Sequence, residues 1–177
     1  MQKQFFPLLA AVVICVSAFG LTRSAQAADA KFKVSEFSFT QPAKWESVEP
    51  SSSMRAAQFK VGDAKASAEV VFFYFGPGGA GGTQANIDRW LGQFTEVKDK
   101  KTETTTVGKT KVTYVRAEGA YSSGMPGGPK TTIPDAMLFG GIVEGEQGHV
   151  FVKMTGPTAV TKSAVEDFKK MVESALK

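Results

Sequence analysis

The sequence predicts an α+β fold in which an antiparallel sheet is accompanied by one helix in mid-chain and one at the C-terminus. Short runs with alternating or continuous apolar residues recur along the chain. Two other stretches have apolar residues spaced three and four apart, which is typical of helices with one buried face. Turn residues join the later runs into hairpins, and strands joined in this way are antiparallel.

Seven apolar runs are the predicted strands of this sheet. They span residues 33–40, 54–61, 66–75, 103–107, 110–121, 137–144 and 149–155. Residues 70–75 of the third run are apolar on both faces of the pleat, so this strand must be covered on both sides. Gly108-Lys109 and residues 145–148 contain the glycines that hairpin turns favour, and they predict hairpins at these two places.

Two helices are predicted from apolar spacing. Thr83 is a suitable N-cap for the first, in which Ile87, Trp90, Leu91 and Phe94 form one apolar stripe. The second follows Gly156-Pro157 and continues to the C-terminus, because proline is favoured in a first helical turn. Its wide apolar stripe, which includes Phe168, predicts that it packs on one face of the sheet.

The first 27 residues have the features of an export signal. A positive start is followed by an apolar stretch, and Ala25-Gln26-Ala27 offers the small residues after which signal peptidase cuts. We therefore predict a signal peptide at residues 1–27, a single α+β domain at residues 28–177, and a periplasmic or secreted location. The alternatives are an uncleaved anchor or a lipoprotein modified at Cys15, but bulky Ile14 before that cysteine disfavours lipidation.

The net charge and the cysteine content of the sequence limit the kinds of partner and of covalent cross-link that the mature domain can have. Removal of Lys3 and Arg23 with the signal leaves 19 basic and 17 acidic residues, and the basic ones are scattered. This pattern argues against a nucleic-acid partner. Cys15 is the sole cysteine in the sequence and lies in the signal, so the mature domain is cysteine-free. No stable membrane span is expected after signal cleavage.

The order of elements resembles the PsbP-like fold superfamily. The resemblance rests on an early strand with Phe37, Phe39, Pro42 and Trp45, on strands arranged around one helix, and on a last strand at residues 151–156 that leads into a C-terminal helix. It covers roughly residues 32–177 as an order of elements. The superfamily includes the extrinsic P protein of photosystem II and small exported bacterial proteins. It implies an antiparallel sheet flanked by helices on both faces, an α/β/α sandwich, and it favours a binding or assembly role.

A glycine-rich loop between a predicted strand and the first helix contains a dinucleotide-binding pattern. Gly76, Gly78 and Gly81 match G-x-G-x-x-G, but the following segment is rich in Lys and Thr and hairpin-like, not a second parallel strand. The lysine of a phosphate-binding P-loop is also replaced, by Gly82. We therefore predict a tight turn at residues 76–82 and no cofactor. Anion or phosphate binding at this loop remains an alternative.

The sequence provides no established catalytic or metal-binding motif. His149 is the sole histidine, and a set with Ser53 and Asp135 has no characteristic spacing. Glu144, Glu146 and His149 lie around a predicted turn, where polar residues are expected in any case. We therefore predict no catalytic residues and no metal, while a hydrolase-type site assembled from distant residues stays open as an alternative.

These observations favour an exported, non-catalytic binding or assembly module whose partner is a protein or another component of the cell envelope. Two long loops rich in Gly and Pro, at residues 76–82 and 122–134, are the candidates for its binding surface. We predict one recognition surface formed by these loops around Asn86, Arg89, Tyr121 and Met125.

Overall fold

A seven-stranded antiparallel sheet forms the centre of the protein. The computed structural model describes residues 30–124 and 130–176, so the predicted signal peptide lies outside the described residues. Within these ranges the strands are β1 Lys31–Val34, β2 Phe37–Thr40, β3 Glu46–Ser47, β4 Arg55–Gly62, β5 Ser67–Tyr74, β6 Phe94–Val107, β7 Thr110–Ser123, β8 Thr131–Gly145 and β9 Gly148–Pro157. The helices are α1 Thr83–Leu91, α2 Thr158–Ser163 and α3 Val165–Ser174.

The strand order across the sheet is β3-β4-β5-β9-β8-β7-β6, and every neighbouring pair is antiparallel. Strand β9 is therefore the central strand, with three strands on each side. Strands β1 and β2 form a separate hairpin. The α+β class with an antiparallel sheet is confirmed, and so are the hairpin turns between β6 and β7 and between β8 and β9.

Several strands are longer than the sequence patterns predict. Strand β6 begins at Phe94, which was assigned to the first helix, and it includes the charged run 98–101. Its side chains after Phe94 are almost all exposed, since β6 is an edge strand held by its backbone pairing with β7. An exposed edge strand has no apolar alternation, which is why only residues 103–107 of β6 were predicted. Strands β7 and β8 also extend into the predicted loop 122–134, through Ser123 and from Thr131.

Both predicted helices differ in detail from the sequence interpretation. The N-cap of α1 is Gly82, and no side chain caps this helix. Thr83 lies inside the helix, where its hydroxyl donates a hydrogen bond to the Glu144 carboxylate at 2.9 Å. The C-terminal helix is divided into α2 and α3 at Ala164. No helix in the described part of the chain is long and apolar enough to cross a membrane.

Two adjacent glycines on β8 mark where helices approach the sheet from opposite sides. A Cβ at Gly140 would overlap the ring of Trp90 from α1, whereas a Cβ at Gly141 would lie 3.3 Å from the ring of Phe168 in α3. Successive residues of a strand point to opposite faces. The chain therefore places α1 and α3 on different faces, and both aromatic side chains are buried, as predicted.

The two faces are covered to different extents. One face packs against the β1–β2 hairpin, α2 and α3 in a large apolar cluster. On the other face, α1 packs over residues of β7, β8 and β9, such as Val115, Leu138 and Phe151. The part of this face formed by β4, β5 and the outer half of β9 has no helix over it, and it leaves an open groove.

Candidate functional site

A groove of about 670 Å³ lies on the uncovered half of the sheet. Small-molecule sites typically enclose about 300–1,000 Å³, so this volume is in the usual range. Its polar lining residues are Arg55, Gln58, Lys60, Ser67, Glu69, Gln93, Tyr121, Lys153 and Thr155. Its apolar lining includes Val71, Phe73 and Ile133.

Strand register sets the positions of the groove side chains. Lys153 of β9 pairs with Val71 of β5, which in turn pairs with Gln58 of β4. One step along the same face, Thr155 pairs with Glu69, and Glu69 pairs with Lys60. Because alternate residues of a strand share a face, these rows form a continuous polar surface across three strands.

Lys153 is the central charged group of the groove. Its ammonium donates hydrogen bonds to Gln93 Oε1 at 3.2 Å and to the Tyr121 hydroxyl at 3.4 Å, and both acceptors are neutral. The side chain is partly buried, and no carboxylate in residues 30–124 and 130–176 forms an ion pair with it. Burial lowers the pKa of Lys153 to about 8, although the charge of Glu69 acts in the opposite direction.

Glu69 is the one carboxylate among the described residues that line the groove, and it is already engaged. Its Oε1 accepts a hydrogen bond from Arg55 at 2.7 Å and another from Gln58 at 2.8 Å. The lining also carries the cations Arg55, Lys60 and Lys153, so positive charges exceed negative ones. A groove with this charge balance is suited to an anionic ligand.

Tyr121, one of the predicted binding residues, lies at the wall of this groove. It is buried, its ring packs edge-on against Phe94 at 5.3 Å, and its hydroxyl is the acceptor for Lys153 described above. Burial raises the pKa of Tyr121, so the hydroxyl stays protonated at neutral pH. Tyr121 can therefore position the ammonium of Lys153 or donate a hydrogen bond to a ligand.

Asn86 has a different environment from the one predicted, whereas Arg89 is exposed on α1. Asn86 is buried, not displayed on the polar face of α1, and its amide donates to the carbonyls of Ala80 and Gly82 at 3.0 Å. Arg89 is exposed and donates to Asn86 Oδ1 at 2.7 Å. These contacts give Asn86 a role in holding the glycine-rich loop against the helix.

The described parts of the two loops that were predicted to form one recognition surface lie at opposite ends of β8. The glycine-rich loop packs at the Gly145–Gly148 turn, where a Cβ on Gly148 would lie 2.7 Å from the Gly76 carbonyl oxygen. The other loop connects Ser123 of β7 with Thr131 of β8. This pair lies at the opposite end of β8 from Gly145. At about 3.3 Å per residue, these ends are roughly 45 Å apart along the strand. Met125 lies outside the described residues.

Glycine is required in the loop at residues 76–82 for conformational reasons. Gly76, Gly78 and Gly81 all have φ between 68° and 77°, in the left-handed region that other residues rarely adopt. The pattern that resembles a dinucleotide motif therefore coincides with the backbone needs of a tight turn. A small cavity of about 260 Å³ beside this loop is lined by the glycines, His149 and Phe151.

Two sets of residues were considered from the sequence, Ser53 with Asp135 and His149, and Glu144 with Glu146 and His149. Neither set forms a catalytic or metal site among the described residues. His149 pairs with Glu144, whereas Asp135 lies nine residues away along β8, about 30 Å at strand spacing. Glu144 itself is held by Thr83 and Lys111, whose hydrogen bonds outweigh the effect of burial and lower its pKa. No group of three possible metal ligands occurs within residues 30–124 and 130–176.

The sequence interpretation missed Lys153, Arg55, Gln58, Glu69 and Gln93. One signal pointed to Lys153, since it is a lysine in the middle of the apolar run 150–154. Lysine is almost never fully buried without a partner, so a lysine in a central strand marks an exposed patch or a site. Arg55, Gln58 and Glu69 come together only through the pairing of β4 with β5, and Gln93 comes from the connection between α1 and β6.

The unpaired charge of Lys153 leads to a prediction for stability. Replacing Lys153 with methionine, which has a similar length and no charge, is expected to raise the free energy of unfolding at pH 7 by about 1–3 kcal/mol. The folded state depresses the pKa of this lysine from 10.5 to about 8, which means that it disfavours the charged form. Chemical denaturation of both proteins at pH 7 measures the difference.

The difference in the free energy of unfolding between the wild type and Lys153→Met is also expected to depend on pH. Below pH 8, Lys153 is protonated in both states, and the full cost of burying its charge is present. Between about pH 8 and 10.5 the folded state releases the proton while the unfolded chain keeps it, so the wild type gains stability relative to the variant. Lys100→Met on exposed β6 is the control, expected to change stability by less than about 0.5 kcal/mol. A loss of stability in Lys153→Met that does not vary with pH would contradict the assignment.

Comparisons with known proteins give little further information. No family model matches the chain, and no curated protein matches it either. Among solved structures, the chain is similar to the crystal structure of a protein of unknown function, PA94, from Pseudomonas aeruginosa. The TM-score is 0.48 and the sequence identity 10%, with 84% of this chain and 96% of that chain covered. A similarity of this size supports no argument about function, so the proposal below rests on the groove.

Proposed function

We propose that this protein is an exported, non-catalytic binding module that holds its ligand in the groove between β4, β5 and β9. One observation carries the proposal. A lysine on the central strand, Lys153, is partly buried in the groove with neutral partners only among the described residues. Its charge costs stability in the free protein, and a bound ligand would offset that cost.

The surroundings of Lys153 favour binding over catalysis. The groups near its ammonium are the Gln93 amide and the Tyr121 hydroxyl, and the pKa of Tyr121 is raised by burial. Neither is a base at neutral pH. Glu69 is occupied by Arg55 and Gln58. These groups can bind and position a ligand, and no general base among the described residues lies within hydrogen-bonding distance of the Lys153 ammonium.

We also propose that the arrangement of helices corresponds to the PsbP-like α/β/α sandwich and that the protein acts in the periplasm or outside the cell. The packing of Trp90 and Phe168 on opposite faces of β8 supports the first part. The Ala25-Gln26-Ala27 pattern supports the second. Under this proposal the groove faces the extracytoplasmic medium, where its ligand is found.

The proposal is tested by blocking the groove. The purified protein is incubated with an extract of the cell envelope of its host, recovered, and examined by native mass spectrometry for bound mass. We expect a bound species on the wild type that is lost in Thr155→Trp and in Gln58→Trp, because both positions line the groove. Lys100→Trp places the same side chain on the exposed edge strand β6 and should keep the bound species.

Circular dichroism and thermal unfolding verify that each tryptophan variant is folded. Thr155→Trp and Gln58→Trp lie on different strands, so a folding defect in one leaves the other as the test. If both folded groove variants retain the same bound species as Lys100→Trp, or if the wild type binds nothing, the groove is not the binding site.

A further inference from the structure

We propose that the ligand of the groove is an organic carboxylate with an apolar chain, whose acid group binds at Lys153 and whose chain extends past Val71 along Phe73. This inference rests on the proposed function and specifies the class of ligand that the same groove accepts.

The position of the acid group follows from the charges in the groove. Lys153 has hydrogen-bonding partners at 3.2 and 3.4 Å, both neutral, so its positive charge is uncompensated by any described carboxylate at contact distance. Arg55 is different, because Glu69 already accepts a hydrogen bond from it at 2.7 Å. The cation available to a ligand at the centre of the groove is therefore Lys153.

The arrangement of the cations favours a carboxylate over a phosphate. A phosphate monoester carries a charge of about −1.5 to −2 near neutral pH and is commonly bound by the paired donors of arginine. Here the guanidinium of Arg55 is engaged by Glu69, and Lys60 lies on β4, two strands away from the strand that carries Lys153. A single ammonium with the hydroxyls of Tyr121 and Thr155 beside it matches a singly charged carboxylate.

The position of the chain follows from the apolar lining. Val71 neighbours Lys153 in the strand register, and Phe73 is the next residue of β5 on the same face. Phe73 is partly exposed, so a ligand chain would cover apolar surface that now faces water.

Titration calorimetry of the purified protein with four matched probes tests this inference. Octanoate has the acid group and the chain, octan-1-ol the chain alone, octylammonium the opposite charge, and acetate the acid group alone. At pH 7 we expect octanoate to bind about tenfold or more tightly than each of the other three, because it alone uses both parts of the groove.

Binding of octanoate to the Lys153→Met variant tests whether Lys153 is the residue that contacts the acid group. We expect it to bind octanoate about tenfold or more weakly than the wild type, while Lys100→Met binds it like the wild type. Wild-type binding should also weaken between pH 8 and 10, as Lys153 loses its proton, and the variant should lack this change. The other charged or titratable groups that face Lys153 are Glu69, Arg55, Lys60 and Tyr121, and all four remain in the variant as an internal control.

Each unfavourable outcome overturns a defined part of the inference. Equal binding of octan-1-ol and octanoate, or an unchanged affinity in Lys153→Met, excludes the lysine–carboxylate contact. Octyl phosphate is titrated as a fifth probe, and tighter binding of it than of octanoate would show that the head group is a phosphate. If octanoate does not bind but Thr155→Trp still abolishes capture of the envelope ligand, the carboxylate inference fails and the proposed function stands. If that capture is also unaffected, both fail.

Discussion

Replacement of Phe168 with alanine is expected to lower the free energy of unfolding by about 3–5 kcal/mol. The side chain is fully buried, its ring packs edge-on against Phe139 at 5.2 Å, and it also covers Gly141 on β8. Removing the ring leaves a cavity between α3 and the sheet that the neighbouring strands cannot fill. Chemical denaturation monitored by circular dichroism measures the loss.

Two further substitutions on α3 serve as controls for this prediction. Lys170→Ala changes an exposed position of the same helix and should alter stability by less than about 0.5 kcal/mol. Phe168→Leu retains part of the volume and should cost less than the alanine variant. A loss below about 1 kcal/mol in Phe168→Ala would mean that α3 is not docked on this face.

Replacement of Gly140 with valine is the second change for which we expect a large effect, a loss of about 3 kcal/mol or more. A Cβ at this position would overlap the ring of Trp90, which is itself buried between α1 and the sheet. The backbone of a central strand cannot move away without breaking its pairs with β7 and β9. Helix α1 must therefore shift outward, and Trp90 fluorescence should report its exposure to water.

A double-mutant cycle distinguishes this clash from a general intolerance of β8. Gly140→Ala and Trp90→Leu are each expected to destabilise the protein, but the double variant should be more stable than the sum of the two losses implies. Gly141→Ala is the matched control on the other face, where the added Cβ lies 3.3 Å from the Phe168 ring and needs only a small adjustment. Additive losses in the cycle would show that Trp90 does not occupy the space beside Gly140.

Local patterns predicted much of the fold because they reflect burial on one face of an element. Ile87 and Trp90 are spaced as a buried helix face, and both are buried. The same patterns failed where burial is absent or where the backbone alone holds an element. Strand β6 is an exposed edge, so its charged residues carried no strand signal. The pair Gly140-Gly141 lies inside a strand and not at a turn, which is a mark of close approach by other elements.

The sequence predicted the residues of the candidate site much less well than it predicted the fold. Tyr121 was selected because it precedes a long loop, yet it lines the groove for another reason, the pairing of β7 with the end of β8. Asn86 was selected as a displayed polar residue, but its amide is buried among carbonyls of the glycine-rich loop. Polarity in a sequence does not distinguish a side chain that binds a partner from one that satisfies its own backbone.

By itself, the sequence determined the α+β class, two hairpin turns and buried helix residues such as Trp90 and Phe168, because these depend on apolar periodicity and on turn residues close together in the chain. Only the tertiary structure decided which face is left open and which charged groups meet there. Arg55, Glu69, Tyr121 and Lys153 come from four strands, and Lys153 is 98 residues from Arg55 in the chain. Their meeting depends on strand order and register, which arise from long-range packing that no local pattern encodes.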